Sequence, residues 1–169
     1  MKETIEEYKQ RIMSYAAGKK PLKVQAATAA NIEKLIKRVP AAKLRKRPAP
    51  DKWSVTEIIS HLADSEIVIG YRIRSILGAP GTPIQAYDQD KWAEAGNYAK
   101  RDPHSQLGVF RTLRAANLDL LKSLRPEQWK QYGIHAERGE ESVERLTEMI
   151  SGHDINHTLQ IEAIIGSRK

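Results

Sequence analysis

The 169-residue chain has no cysteine. That excludes disulfides, thiolate metal ligands and a cysteine nucleophile, so any metal site must rest on histidine and carboxylates. Phenylalanine occurs once. The apolar content is mostly Ala, Leu and Ile, with little of the Val/Thr/Tyr alternation that strands need, so an all-α class is expected. No segment approaches the roughly 18 consecutive apolar residues of a membrane span, and MKETIEEYKQ lacks the apolar run of a signal peptide. A soluble, cytoplasmic protein with no membrane partner is the expectation. Acidic residues are outnumbered, 21 Asp+Glu against 28 Lys+Arg for a net charge of +7, which raises nucleic acid as a partner. The distribution argues against it. Only Lys43, Arg45, Lys46 and Arg47 cluster tightly, and the other basic residues alternate with acidic ones along helix faces.

What is present reads as one domain over residues 1–169, long enough for a proper core. Ile5, Tyr8, Ile12 and Tyr15 recur at helical spacing in an N-terminal helix over 1–18, closed by Gly18 and expected outside the main core. A four-helix bundle over 21–166 follows. Its first helix starts at Pro21, carries Leu22, Ala26, Ala29, Ile32, Leu35, Ile36 and Val39 on one face, and stops at Pro40. The basic linker after it is polar enough for the surface. Ser54 and Glu57 have capping-box spacing and open the second helix, which runs through Ile58, Ile59, Leu62, Ile69, Ile73 and Ile76 to Gly78. After the breaker APGTP, Tyr87–Trp92 reads as a short helix or structured loop between the second and third bundle helices. The third helix begins at Pro103, with Leu107, Phe110, Leu113, Leu118 and Leu121 inward and Arg111, Arg114 and Lys122 outward. The connection 127–139, holding Trp129, His135 and Glu137, is long for a bundle loop.

The fourth helix, Val143 to Ile165, organises the rest. Its apolar stripe of Val143, Leu146, Ile150, Ile161 and Ile164 passes through His153 and His157. Burying an imidazole without a partner costs roughly 1–3 kcal/mol, so something must satisfy these two. Spacing i, i+4 stacks the rings on one helix face, from which two nitrogens can converge on one metal ion. His61, on the inner side of the second helix, is the candidate third ligand. Glu57 and Glu66, about one turn either side of His61, reach the same end of the bundle.

Three stretches together resemble the DinB/YfiT-like superfamily. They are Trp53-Ser54-Val55 leading to His61-Leu62-Ala63-Asp64-Ser65-Glu66, then Tyr87-Asp88-Gln89-Asp90-Lys91-Trp92, and Gly152-His153-Asp154-Ile155-Asn156-His157 with Gln160-Ile161. The likeness covers about 22–164. It implies a bundle of the DinB/YfiT-like type holding a divalent metal, zinc or nickel above others, on His61, His153 and His157. Characterised members of that superfamily include thiol-dependent S-transferases and isomerases, and others are labelled metal-dependent hydrolases.

Three neutral imidazoles leave a coordination position open, the arrangement of catalytic sites. The resulting expectation is a metal-dependent thiol S-transferase or hydrolase acting on a small molecule, with a low-molecular-weight thiol as cosubstrate in the first case. Glu66 and Asp88 are the candidate catalytic residues. The alternative is a non-catalytic metal-binding or small-molecule-binding bundle related to stress. His135 and His104 are read as a structural loop residue and an exposed helix-start residue, and a homodimer through an outer helix face is the expected assembly.

Overall fold

The computed structural model describes residues 3–166; the first two residues of the expected 1–18 helix and the last three of the expected 1–169 domain lie outside the described residues. Helix α1 (Ile5–Ala16) opens on a reciprocal cap: the Thr4 hydroxyl accepts from Glu7 N–H and the Glu7 carboxylate accepts from Thr4 N–H. The bundle proper consists of α2 (Pro21–Ile36), α4 (Val55–Gly78), α6 (Pro103–Lys122) and α8 (Val143–Gly166). Short helices α3 (Ala41–Leu44), α5 (Gln89–Ala95) and α7 (Pro126–Trp129) occupy the connections. The Ser54–Glu57 box forms as its spacing predicts, and Glu57 is buried there beneath Arg47.

Helix α4 packs on α6 and α8, and α2 packs on α8 and α6. The consecutive helices α2 and α4 therefore lie on one diagonal, with α6 and α8 on the other. Two apolar clusters fill the ends. One gathers Ile32, Ile36, Leu44, Val55, Ile58, Leu62, Phe110 and Ile161; the other gathers Ile69, Ile73, Ile76, Leu121, Val143 and Leu146. Helices α4 and α6 run from the first cluster to the second and α8 runs the opposite way, which makes the adjacent pair α4/α6 parallel and α4/α8 antiparallel. Between the clusters lies a polar layer at the middle of all four helices.

Three details differ from the sequence expectation. The inner face of α2 is turned so that Gln25 and Thr28 are buried and Ala26 is exposed, because both polar side chains find partners on α8: Gln25 donates to the Thr147 carbonyl and Thr28 to Asp154, each at 2.9 Å. The basic linker is not wholly superficial, since α3 buries Leu44 completely. And the long connection before α8 forms a hairpin, β2 (Tyr132–His135) and β3 (Gly139–Ser142), with β1 (Pro83–Ile84) parallel to β2. This small sheet is an addition to an otherwise helical fold. No described helix is long and apolar enough to cross a membrane.

Candidate metal centre

The polar layer brings His61 of α4 against His153 and His157 of α8. One nitrogen from each lies within 4.8 Å of the others, and all three rings are buried. The His153 Nε2 is 3.0 Å from His61 Nε2 and 3.1 Å from His157 Nε2. Burial lowers the pKa of every ring, well below the usual value for His61 and His153 and to about 4 for His157, so the cluster is neutral at pH 7. A neutral imidazole nitrogen carries one proton or one lone pair. His157 Nδ1 donates to Gln160 Oε1 at 2.8 Å, which leaves the lone pair on Nε2. His153 Nε2 cannot then form a full two-centre hydrogen bond with both neighbours, whichever tautomer it holds. Three converging nitrogens without enough protons between them match the donor set of a divalent cation; this mismatch is the physical test that the histidines fit a metal.

The surroundings hold the rings in place. The Trp53 ring packs against His61 with centroids 4.9 Å apart, and Ser65 Oγ lies 3.4 Å from both His61 Nε2 and the Tyr87 hydroxyl. A cavity of ≈ 470 Å³ reaches His61 and His153, and a second of ≈ 580 Å³ reaches His157. Tyr8 of α1 borders both, and burial pushes its hydroxyl up to about 12. Helix α1 sits beside the site because α8 carries Gly152 there: a Cβ at that position would lie 2.0 Å from the Ile12 carbonyl oxygen. Arg11 adds a hydrogen bond to Asn156 Oδ1 at 2.6 Å.

One residue further along α8, Asp154 enters a different cluster. Arg114, expected outward on α6, is 3% exposed and lies at the centre of the bundle. Its two terminal nitrogens form a fork on Asp154, and they also reach Glu66 Oε1 at 2.8 Å and the Gln25 carbonyl at 3.0 Å. Thr28 and Asn117 fill remaining carboxylate positions. Burial opposes the guanidinium charge, and Asp154 and Glu66 outweigh it, raising its pKa. The signal was in the spacing: Arg114 is four residues from both Phe110 and Leu118, on the apolar stripe itself. Nothing in the sequence alone marked Asp154 as its partner.

Glu66 is committed to Arg114 and Asn117. Asp88 borders the cavity of His61, yet its Oδ1 caps α5 by accepting from Asp90 and Lys91 N–H. Glu57 serves Ser54 and Arg47. His135 is buried in β2 and borders the same cavity, while His104 is exposed. Of the basic cluster, Lys43 donates to the Ile165 carbonyl, Arg45 pairs with Asp102, and Arg47 with Glu57.

Comparison with known proteins places this geometry in context. YfiT of Bacillus subtilis, described as a probable metal-dependent hydrolase with an unusual four-helix bundle topology, is 27% identical over 118 residues, 68% of this chain and 66% of its own. The protein OB0782 of Oceanobacillus iheyensis, likewise named as a metal-dependent hydrolase on provisional grounds, is 26% identical over 112 residues, 66% of this chain and 64% of its own. The chain thus matches just under two thirds of the length of these relatives. In three dimensions the YfiT structure superposes with a TM-score of 0.74 at 22% identity, covering 96% of this chain and 90% of that one. A mycothiol-dependent maleylpyruvate isomerase gives 0.63 at 13% identity, covering 83% and 59%. The family model described as the DinB superfamily runs over residues 26–161, from the first bundle helix through all three clustered histidines, and the chain belongs to that superfamily.

Proposed function

We propose that the protein is a metal-dependent enzyme in which His61, His153 and His157 hold one divalent cation, zinc or nickel, and that it transfers a low-molecular-weight thiol to a small electrophile. The observation that carries the reading is the convergence of three neutral imidazole nitrogens beside an open cavity. A cation there supplies Lewis acidity, lowering the pKa of a thiol or water that reaches it. The chain's own part is to keep the rings neutral by burial, to fix the His157 tautomer through Gln160, and to place Ser65 and Tyr87 next to His61. In the transfer, the thiol sulfur forms a bond to an electrophilic carbon, the leaving group departs with the electron pair of the broken bond, and the thiol proton goes to solvent.

Thiol transfer is favoured over hydrolysis by the state of the carboxylates. Activation of water calls for a nearby base, and both residues nominated from the sequence are engaged, Glu66 with Arg114 and Asp88 with the start of α5. A thiol held by a cation on His61, His153 and His157 would lose its proton without such a base. The relatives named as hydrolases keep the hydrolytic alternative in view.

The test is metal retention followed by turnover. Tag-free protein equilibrated with zinc or nickel and dialysed is expected to keep about one equivalent by inductively coupled plasma mass spectrometry, and His61→Ala, His153→Ala and His157→Ala to keep none. Loaded protein should then consume glutathione or a related thiol with 1-chloro-2,4-dinitrobenzene at a rate abolished by chelation. A parent that retains neither metal sinks the enzyme reading. Metal retention with ester hydrolysis and no thiol consumption replaces transfer by hydrolysis.

A further inference from the structure

The cavity that reaches His61 and His153 also holds a cation without a counter-ion. Arg72 of α4 is 9% exposed. Its Nη2 donates to the Gln85 carbonyl at 2.7 Å, and the guanidinium lies 5.9 Å from the centroid of the Tyr87 ring. Among the described residues no carboxylate forms an ion pair with it. Burial lowers its pKa and Arg138 lowers it further, against smaller opposing effects of Glu141, Tyr87 and Glu137. Arg138 borders the same cavity but is closed off, its Nε and Nη2 forked on the two oxygens of Glu141 at 2.7 and 2.8 Å.

A second unmet donor lies in the same wall. His135 is 2% exposed, and its Nδ1 accepts the Glu137 N–H at 3.1 Å. The proton of the neutral ring is therefore on Nε2, and that atom has no partner among the described residues. Burial and the two nearby guanidinium groups keep the ring neutral. Arg72 thus lacks a counter-ion and His135 Nε2–H an acceptor, in a cavity whose wall carries Ile12, Val68, Ile69 and Ile150 together with the carboxylates of Glu3, Asp88 and Glu137. Buried charges are normally paired and buried donors bonded.

We propose that this cavity takes a small molecule with an apolar body and a single carboxylate, which pairs with Arg72 and accepts from His135 Nε2–H, leaving the far end of the molecule toward His61 and His153. The proposal rests on the histidine cluster being the reactive centre and names the class of substrate for it. One guanidinium without a counter-ion and one neutral donor balance a monoanion; a phosphate dianion calls for a second cation, and the Arg138 fork is already taken.

Calorimetric titration of the full chain, metal-free and zinc-equilibrated, with hexanoate, hexanamide and hexyl phosphate tests this at about 0.15 M salt. Hexanoate is expected to bind roughly tenfold or more tightly than its amide, in both metal states. Arg72→Gln should remove that preference while leaving hexanamide affinity unchanged, Arg72→Lys should keep part of it, and His135→Phe should weaken hexanoate about threefold to tenfold. If Arg72→Gln does not melt cooperatively, Arg72→Lys and His135→Phe carry the same comparison. Equal binding of acid and amide, or a preference that survives in Arg72→Gln because the carboxylate sits on zinc, overturns the proposal. So does hexyl phosphate binding roughly tenfold tighter than hexanoate. The two readings fail separately: no retained zinc with the hexanoate preference intact removes the metal, and retained zinc without the preference removes the carboxylate subsite.

Discussion

Two buried polar clusters share α4 and α8 and follow opposite rules. In the first, Arg114, Asp154, Glu66, Thr28 and Asn117 come from all four bundle helices, and charge meets opposite charge with only the Arg114 Nε left unbonded. In the second, His61, His153 and His157 are uncharged and turn nitrogens toward one another that cannot satisfy each other. A closed network specifies how the helices dock; an open one has the donor set that could hold a cation. The division is made within one turn of α8, where successive residues point roughly 100° apart. Gly152 faces α1, His153 the cavity and Asp154 the centre of the bundle.

The largest expected effect tests whether the closed cluster is structural. Arg114→Ala leaves two carboxylates buried without their cation and should destabilise the protein by about 3–5 kcal/mol, seen as a lower urea midpoint. His61→Ala in metal-free protein should cost far less, because it removes one of three crowded nitrogens and breaks no ion pair. If the two variants lost equal stability, the contrast between a structural and an open cluster would fail.

The same contrast explains what could be read from the chain. His153 and His157 stand on an apolar stripe at i, i+4 spacing and His61 on the inner side of another helix, where a polar ring is conspicuous, and the structure brings them together. The bundle helices announce themselves by caps and periodicity, Ser54 with Glu57 and Pro21 among them. Arg114 escaped because charge is weighed against burial when residues are taken singly, and only the presence of Asp154 and Glu66 reverses that balance. Ala26 reads as inward and Gln25 goes unmarked for the same reason. The sheet escaped because strands of two to four residues are too short to show an alternation. The diagonal order of the helices depends on the long connections and leaves no local mark at all.

Acid separates the clusters next. Each histidine has its folded pKa depressed by burial, so between the unfolded value of about 6.5 and the folded one, about 4 for His157, the unfolded chain binds more protons. Metal-free protein should therefore keep its full stability above about pH 6.5 and lose about 3 kcal/mol through His157 alone as the pH falls to about 4, with His61 and His153 adding to the loss in the same direction. In His153→Ala or His157→Ala that slope should flatten. Urea titrations at a series of pH values measure it; an unchanged slope would place the acid sensitivity elsewhere.

Gly152→Ala probes the third face of α8. Its Cβ would collide with the backbone of Ile12, so α1 must shift away from the site at a cost of about 1–2 kcal/mol. Limited proteolysis should then cut near residues 17–20 faster than in the parent, with the Arg114 cluster still protected from hydrogen exchange. Equal protection of α1 in both proteins would show that the close approach is not what docks it.

The smallest effect concerns Gln160, which is exposed and touches the metal candidates only through His157 Nδ1. Removing its carbonyl in Gln160→Leu frees the ring to place its proton on Nε2, the nitrogen a cation needs deprotonated, while water supplies a partial substitute acceptor. Zinc affinity, measured by competition with a chromophoric chelator, should fall about tenfold, at the low end for a lost outer partner. Gln160→Glu restores an acceptor and should recover most of it. Neither change should move the urea midpoint, because the bond lies at the surface of α8 and holds no helix to another. A loss of stability in Gln160→Leu approaching that of Arg114→Ala would mean that the histidine side of α8 is itself part of the structural network, and that the two clusters are one.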